Sequence, residues 1–233
     1  MAETETNTLA GVSLLDPLGD PEREALERAC SWRHYDPHEQ ILDRQSESQD
    51  VCFVVKGRVR VVNYSLTGRE ITLDDVMEGS YFGELAAIDG APRSASVMAL
   101  DKTLIAFLPR TAFVTLLEKH ADVTLTLLRR LAMIIRTSTD RIMDLSTLGA
   151  NNRVHAELLR QARLVMDDES TEAVLSPIPV HGDIASRVST TRETVARVMN
   201  DLARQGIVER RKEALAITDP ERLEDLVEQV RGD

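Results

Sequence analysis

The residues with the clearest chemical potential lie together in one short segment, Tyr81 to Val97, with the sequence YFGELAAIDGAPRSASV. In this segment Glu84 can accept a hydrogen bond from a sugar hydroxyl, and Arg93 presents a planar fork of donors that suits a phosphate. Gly83 lets a ligand or another backbone approach closely, and the residues after it can form a helical turn whose free N–H groups attract an anion. The segment therefore predicts a pocket for a phosphorylated sugar. The plainer alternative is a surface loop closed by a Glu84–Arg93 ion pair.

This segment resembles the phosphate-binding cassette of cyclic-nucleotide-binding domains, in particular those of the cAMP receptor protein (Crp/Fnr) family. The motif FGELAAIDGAPRSA carries the resemblance, which extends over most of the chain. It implies that Gly83 and Glu84 meet the ribose hydroxyl, that Arg93 and Ser94 meet the cyclic phosphate, and that the allosteric effector is cAMP, with cGMP as an alternative. The expected ligand-binding set is Gly83, Glu84, Leu85, Ala86, Arg93, Ser94, Ala95, Ser138 and Thr139.

Length and composition restrict the class of protein. A chain of 233 residues predicts one or two domains, and a net charge of −11 argues against a protein that coats nucleic acid without specificity. Two cysteines provide no disulfide framework. No run approaches the roughly 20 apolar residues that span a membrane, and the first residues lack a signal-peptide pattern. We expect a soluble cytoplasmic protein with no membrane partner.

The segment around the cassette has the pattern of a β-domain. Short apolar or alternating runs are separated by turn signals such as Lys56-Gly57 and Thr67-Gly68. Many short strands at close spacing indicate a β-roll of the jelly-roll type, with the cassette as a helical interruption. The predicted strands are Val51–Val55, Arg58–Val61, Ile71–Val76, Ser96–Leu100 and Leu104–Leu108.

Two features before the β-domain carry less information. Residues Met1 to Ser13 have the composition of a frayed tail. Cys30, His34 and His38 recur at a spacing that would place them on one face of a helix, but Pro37 interrupts that helix and no fourth ligand lies nearby. We therefore expect no metal site.

From about residue 110 the apolar period changes to threes and fours, which indicates one helix of some thirty residues with a coiled-coil seam. A second copy of the chain is the expected partner; the alternative is a helix that lies on its own domain. Ser138 interrupts the seam, and the resemblance implies that Ser138 and Thr139 touch the purine, one from each subunit. The seam positions are Val114, Leu117, Ala121, Thr124, Leu128, Leu131, Ile135, Ser138, Ile142 and Leu145.

The C-terminal part predicts a winged helix-turn-helix. A short helix over Gly182–Val188, a turn at Ser189-Thr190 and a second helix over Arg192–Arg204 carry the apolar pattern that packs two such helices together. Strands over Ile207–Glu209 and Leu215–Thr218 would form the wing. Ser189 stands where the family commonly has glycine, so mild backbone strain is expected there.

Local charge supports a DNA-reading role. Residues 181–212 hold seven basic and four acidic side chains within an acidic chain. The N-terminal residues of a recognition helix enter the major groove, where Arg suits guanine and Glu can accept from cytosine. The resemblance implies palindromic double-stranded sites with half-sites of the TGTGA type, and contact with RNA polymerase. The expected DNA-binding residues are Thr191, Arg192, Glu193, Thr194, Arg197, Arg211 and Lys212.

Together these features predict an α+β chain in three parts: a cyclic-nucleotide-binding β-roll over residues 1–109, a long dimerisation helix and hinge over 110–149, and a winged helix-turn-helix over 150–233. The predicted function is a homodimeric transcription regulator that responds to a cyclic nucleotide. One alternative keeps the fold with another effector or none. A second is a regulatory module that acts through protein contacts. We expect no enzymatic activity, because no nucleophile–base pair or metal-ligand set is present.

Overall fold

The computed structural model describes residues 7–167 and 169–231. Contacts divide the chain into two compact units, Met1–Ile134 and Ile135–Asp233, which are described separately below. The division falls inside a helix, between the two domain boundaries predicted from the sequence.

The N-terminal unit contains two four-stranded antiparallel sheets, in the orders β1-β8-β3-β6 and β2-β7-β4-β5. This confirms the predicted β-roll. Its elements are α1 (Asp20–Ala29), β1 (Ser31–Tyr35), β2 (Gln40–Leu42), β3 (Val51–Lys56), β4 (Arg58–Tyr64), β5 (Glu70–Met77), β6 (Tyr81–Phe82), α2 (Glu84–Asp89), β7 (Ser96–Ala99), β8 (Thr103–Leu108), α3 (Arg110–Lys119) and the start of α4 (Ala121–Thr147).

Strand β3 is apolar from Val51 to Val55 because its first four residues are buried, on both faces of the sheet. Cys52 and Val54 face an inner core, which lies between the two sheets since it draws residues from both. Phe53 faces an outer core, in which helical residues such as Phe113 cover the first sheet. The buried residues of the inner core are Leu42, Cys52, Val54, Val59, Val76, Phe82, Val97, Ile105 and Phe107.

The N-terminal segment packs more closely than its composition suggests. Leu9 and Val12 are 0% and 2% exposed and belong to the outer core, followed by a 3₁₀ turn over Ser13–Leu15. The expectation of a frayed tail is therefore wrong from residue 7 onward; residues 1–6 lie outside the described part of the chain.

The expectation of one continuous helix from residue 110 is also wrong. His120 adopts an extended conformation (φ −123°, ψ 94°) that separates α3 from α4. Val114 and Leu117 consequently belong to α3, and the Thr124 hydroxyl donates to the Leu117 carbonyl across the break. The long helix thus begins at Ala121, and only the later seam positions share it.

The C-terminal unit builds a single core around a helix-turn-helix. Val195, Val198 and Leu202 form the buried face of α7, as the apolar pattern predicts. A three-stranded sheet in the order β10-β11-β9 flanks the helices. After α4, the elements of the C-terminal unit are α5 (Ala150–Val165), β9 (Ala173–Leu175), α6 (His181–Arg187), α7 (Arg192–Arg204), β10 (Val208–Arg210), β11 (Leu215–Ile217) and α8 (Pro220–Arg231).

Candidate functional site

The cassette turns from β6 into α2 at a position that only glycine suits. Gly83 has φ +82°, in the left-handed region. A Cβ atom there would lie 2.6 Å from Nη1 of Arg93 and 3.2 Å from the carbonyl oxygen of Asp50. The glycine therefore allows the close approach of Arg93 to the backbone, as the sequence suggested.

Arg93 is buried and holds the cassette together. Only 4% of the residue is exposed, and each of its three nitrogens donates one hydrogen bond. Nη1 donates to the Gly83 carbonyl at 2.8 Å, Nη2 to the Asp50 carbonyl at 2.6 Å and Nε to the Ser48 hydroxyl at 3.0 Å. The alternative of a loop closed by a Glu84–Arg93 ion pair does not describe this guanidinium, whose partners are two carbonyls and a hydroxyl. Its contact with a phosphate stays a prediction.

Glu84 begins α2 and is also buried. Burial raises the pKa of its carboxyl, while its own backbone N–H and the charges of Arg130 and Arg93 act in the opposite direction. Arg130, on α4, places its guanidinium carbon 4.1 Å from the ring centroid of Tyr81, a cation–π contact. Arg130 was not predicted from the sequence, in which its only signal is a basic residue on the inward side of an amphipathic helix.

The other predicted cassette residues differ in accessibility. Ser94 and Leu85 are exposed, whereas Ala86 and Ala95 are buried. The Ser94 hydroxyl is thus the accessible polar group of the Arg93-Ser94 pair.

Ser138 and Thr139 lie on α4 within the C-terminal unit, and both are exposed. The Thr139 hydroxyl donates to the Ile135 carbonyl at 3.0 Å. An apolar stripe runs along the same helix, since Leu128, Ile135 and Ile142 recur every seven residues. These side chains are 55%, 65% and 62% exposed in the single chain. The role of Ser138 and Thr139 in binding a purine stays a prediction.

The second candidate site is the start of α7. Thr191 caps this helix, and its hydroxyl accepts from the Thr194 N–H at 3.2 Å. Arg192, Glu193 and Arg197 are exposed, and none of them belongs to the buried face of the helix. The structure therefore brings five of the seven predicted DNA-binding residues, Thr191 to Arg197, onto one exposed helix end.

Comparison with known proteins identifies the domain that contains each candidate site. A family model described as the cyclic nucleotide-binding domain matches residues 32–120, and one described as the Crp-like helix-turn-helix domain matches residues 152–226. The Cyclic AMP receptor protein of Thermus thermophilus is 31% identical over 190 residues, which cover 79% of this chain and 84% of the relative.

The chain belongs to the Crp/Fnr family.

Other matches agree with this assignment. The CRP-like cAMP-activated global transcriptional regulator of Mycobacterium tuberculosis is 26% identical over 170 residues, covering 73% of this chain and 76% of the relative. The solved structure of a CooA mutant from Carboxydothermus hydrogenoformans shares the fold, with a TM-score of 0.80, 21% identity and coverage of 96% and 97% of the two chains. This Crp/Fnr chain is a DNA-binding transcription regulator with a cyclic-nucleotide-binding domain, and its relatives are transcription regulators rather than enzymes.

In this Crp/Fnr protein one arginine connects the turn of the helix-turn-helix to the residue that follows α4. Arg153 donates from Nε to the Val188 carbonyl, from Nη2 to the Ser189 carbonyl and from Nη1 to the Leu148 carbonyl, at 2.8, 3.2 and 2.8 Å. Ser189 has φ +52°, which confirms the expected strain at this non-glycine turn residue. Arg153 was not predicted from the sequence, because its three acceptors are backbone carbonyls, and a backbone carbonyl does not depend on the type of residue that carries it.

The wing differs from the expectation for Arg211. Its guanidinium forms a bidentate ion pair with Glu172, with Nη1–Oε1 and Nη2–Oε2 distances of 2.7 and 2.8 Å, and a longer contact with Glu209. Lys212 is exposed. The charge of Arg211 is therefore already offset by Glu172, a residue distant in sequence, so this guanidinium is not an unpaired cation available to a phosphate.

Two further negative observations concern the described residues. Within 7–167 and 169–231, no group of three or more His, Cys, Asp or Glu side chains could hold a metal ion. His34 lies in β1, and His38 has a positive φ, so the two do not share a helix with Cys30. In the same ranges, no helix combines the length and apolar character needed to cross a bilayer.

Proposed function

We propose that this Crp/Fnr regulator binds a cyclic purine nucleotide in the cassette and reads DNA as a homodimer with the exposed end of α7. The observation that carries the proposal is the pairing, in one chain, of a complete glycine–acid–arginine–serine cassette with an exposed Thr191–Arg197 helix end. Relatives described as cAMP-activated make cAMP the first nucleotide to test.

In the proposed complex the ligand lies against the cassette. Glu84 accepts from the ribose hydroxyl, and Ser94 with the N-terminal N–H groups of α2 meets the phosphate. Arg93 contributes positive charge from behind the loop and holds the Gly83 carbonyl in place. Ser138 and Thr139 would meet the purine.

The exposed stripe on α4 supports the homodimer. Leu128, Ile135 and Ile142 repeat every seven residues and are more than half exposed, which is the arrangement of a coiled-coil seam without its partner. Two copies would present two copies of α7 to adjacent half-sites of a palindrome.

On DNA, Arg192 and Arg197 would each donate two hydrogen bonds to a guanine, and Glu193 would accept a hydrogen bond from the amino group of a cytosine. Lys212 would meet a phosphate at the wing.

We also propose contact with RNA polymerase and action in the cytoplasm, where the DNA and the polymerase are found. The division into residues 1–109, 110–149 and 150–233 remains our proposal for the functional parts.

A second candidate keeps the fold and the DNA reading but uses a different effector. Protein acceptors already engage three of the five N–H donors of Arg93, which favours this candidate, because only two donors remain for the phosphate.

The test is fluorescence anisotropy of a labelled palindromic TGTGA-type duplex, titrated with the protein alone, with cAMP and with cGMP. The proposal expects tighter specific binding with a cyclic nucleotide than without. Binding that is equal in all three conditions favours the second candidate, and no specific binding in any of them contradicts the DNA-reading role.

A further inference from the structure

A carboxylate occupies the inner face of the β-roll on a pair of strands that otherwise places valines on that face. Strands β4 and β5 pair Val59 with Val76 and Val61 with Asp74. Directly opposed residues of an antiparallel pair lie on the same face. Val59 and Val76 belong to the inner core and Val61 packs against it, so Asp74 lies on the inner face too.

The adjacent pair lies on the other face. Arg60 is opposite Asp75, and the two bond through Nε–Oδ1 and Nη2–Oδ2 contacts of 2.8 and 3.0 Å. The two consecutive acids therefore have different surroundings: Asp75 is compensated by an arginine on the outer face, while Asp74 is on the inner face.

A β-bulge lies beside Asp74. The register shifts between Val61 and Val62, which are opposite Asp74 and Thr72, so Leu73 is the extra residue. Bulges re-aim side chains and occur often beside binding sites. Asp74 is exposed although Val59 and Val76 on the same face are 0% and 4% exposed, so the inner face is open to solvent at this point.

Asp74 is also close enough to Glu84 to act on it electrostatically. After burial, which is the main cause, the Asp74 charge is a further influence that raises the pKa of the Glu84 carboxyl. The geometry agrees, because Phe82, which directly precedes Gly83 and Glu84 of the cassette, belongs to the same inner core as Val59 and Val76.

The chemistry of a cyclic nucleotide limits what a second carboxylate can do. An ionised carboxylate only accepts hydrogen bonds, at about four lone-pair sites, so it can accept from a ligand while keeping its bond from the Asp75 N–H. The phosphate has no donor, and the proposed function gives the ribose hydroxyl to Glu84. The remaining donors are on the base: adenine has one amino group, whereas guanine has an N1–H next to a 2-amino group.

We propose that Asp74 is a base-selecting residue of the effector site and that it makes the protein bind cyclic GMP more tightly than cyclic AMP. This inference rests on the proposed function of the cassette. Guanine's two adjacent donors match the two oxygens of one carboxylate, and a bidentate match of this kind discriminates between bases by roughly tenfold or more.

The test is isothermal titration calorimetry of the full-length protein with cyclic GMP, cyclic AMP and cyclic IMP, whose base keeps the N1–H but lacks the 2-amino group. The expected order of affinity for the wild type is cyclic GMP, then cyclic IMP, then cyclic AMP. Asp74→Asn and Asp74→Ser should each lose roughly tenfold in cyclic GMP affinity with little change for cyclic AMP. Circular dichroism establishes that each variant is folded, and the serine variant is the second route if the asparagine variant is not.

Glu70→Gln is the matched control, because it removes the same charge from the first residue of β5 and should leave the preference intact. Wild-type affinity for cyclic AMP equal to or above that for cyclic GMP overturns the inference while the proposed function stands. An equal change for all nucleotides in both Asp74 variants also overturns it, since that result indicates general charge repulsion. If folded wild type binds none of the three, the proposed function itself fails.

Discussion

Replacing Arg93 by alanine should destabilise the N-terminal unit as well as weaken nucleotide binding. The buried guanidinium donates to the Gly83 carbonyl, the Asp50 carbonyl and the Ser48 hydroxyl. A hydrogen bond from a charged donor contributes about 1.5–3 kcal/mol, and contributions within one cluster are not additive. We therefore expect Arg93→Ala to lower the free energy of unfolding by about 3 kcal/mol.

Urea denaturation followed by tryptophan fluorescence measures this change. Trp32 is the only tryptophan of the chain and packs against the outer core, so its emission reports on the N-terminal unit. Arg110→Ala is a matched control, because Arg110 donates from Nε to a single cassette carbonyl, that of Ala87, at 2.8 Å. It should cost only about 1.5 kcal/mol.

Arg93→Lys separates charge from geometry. A lysine keeps the positive charge but cannot reproduce the planar fork, so its stability should fall between wild type and Arg93→Ala. Nucleotide titrations of each folded variant then isolate the effect on affinity. An unchanged unfolding free energy for Arg93→Ala, or one no different from that of Arg110→Ala, would refute the assignment of Arg93 as the residue that holds the cassette together.

Three other substitutions test the DNA-reading unit and the switch. Arg197→Ala should cost about 1–3 kcal/mol at one base position and relax specificity there, and equal losses for every sequence in a competition assay would contradict base reading. Glu172→Gln should release Arg211, tighten binding to all sequences and steepen the salt dependence of log K by about 0.9, whereas an unchanged slope would show that Arg211 does not reach the backbone. Ser138→Leu should strengthen the proposed seam and make DNA binding partly independent of nucleotide; a wild-type ratio of affinities with and without nucleotide would exclude Ser138 from switching.

Local pattern was sufficient to predict most elements. The strand over Val51–Val55 was recognised because burial on both sides leaves a continuous apolar run, and it is observed as Val51–Lys56. The helix over Arg192–Arg204 has the predicted bounds, since its cap and its apolar period are both local signals. Strand β9 was missed, because three residues after a polar linker carry too little periodicity to indicate a strand.

Because local pattern carries no information about distant contacts, the predictions for the long helix and for the N-terminal tail were wrong. Seam positions continue from α3 into α4 with an unbroken period, so the extended residue His120 leaves no trace in the pattern. Leu9 and Val12 stand in an apolar stretch too short to show a helical or strand period, and only the outer core that receives them explains their burial.

By itself, the sequence determined the family, the α+β fold class and the chemical types present at both sites, because glycine, capping residues and apolar period act over a few neighbouring positions. Only the tertiary structure decided what each charged side chain does. Arg93 binds backbone carbonyls that include one 43 positions away in sequence, Arg211 pairs with Glu172 39 positions away, and Asp74 shares the inner face of the β-roll with Val59 and Val76. An arginine or a carboxylate can satisfy its charge with any partner that the fold brings within about 3 Å, and that choice is made by the packing of distant segments.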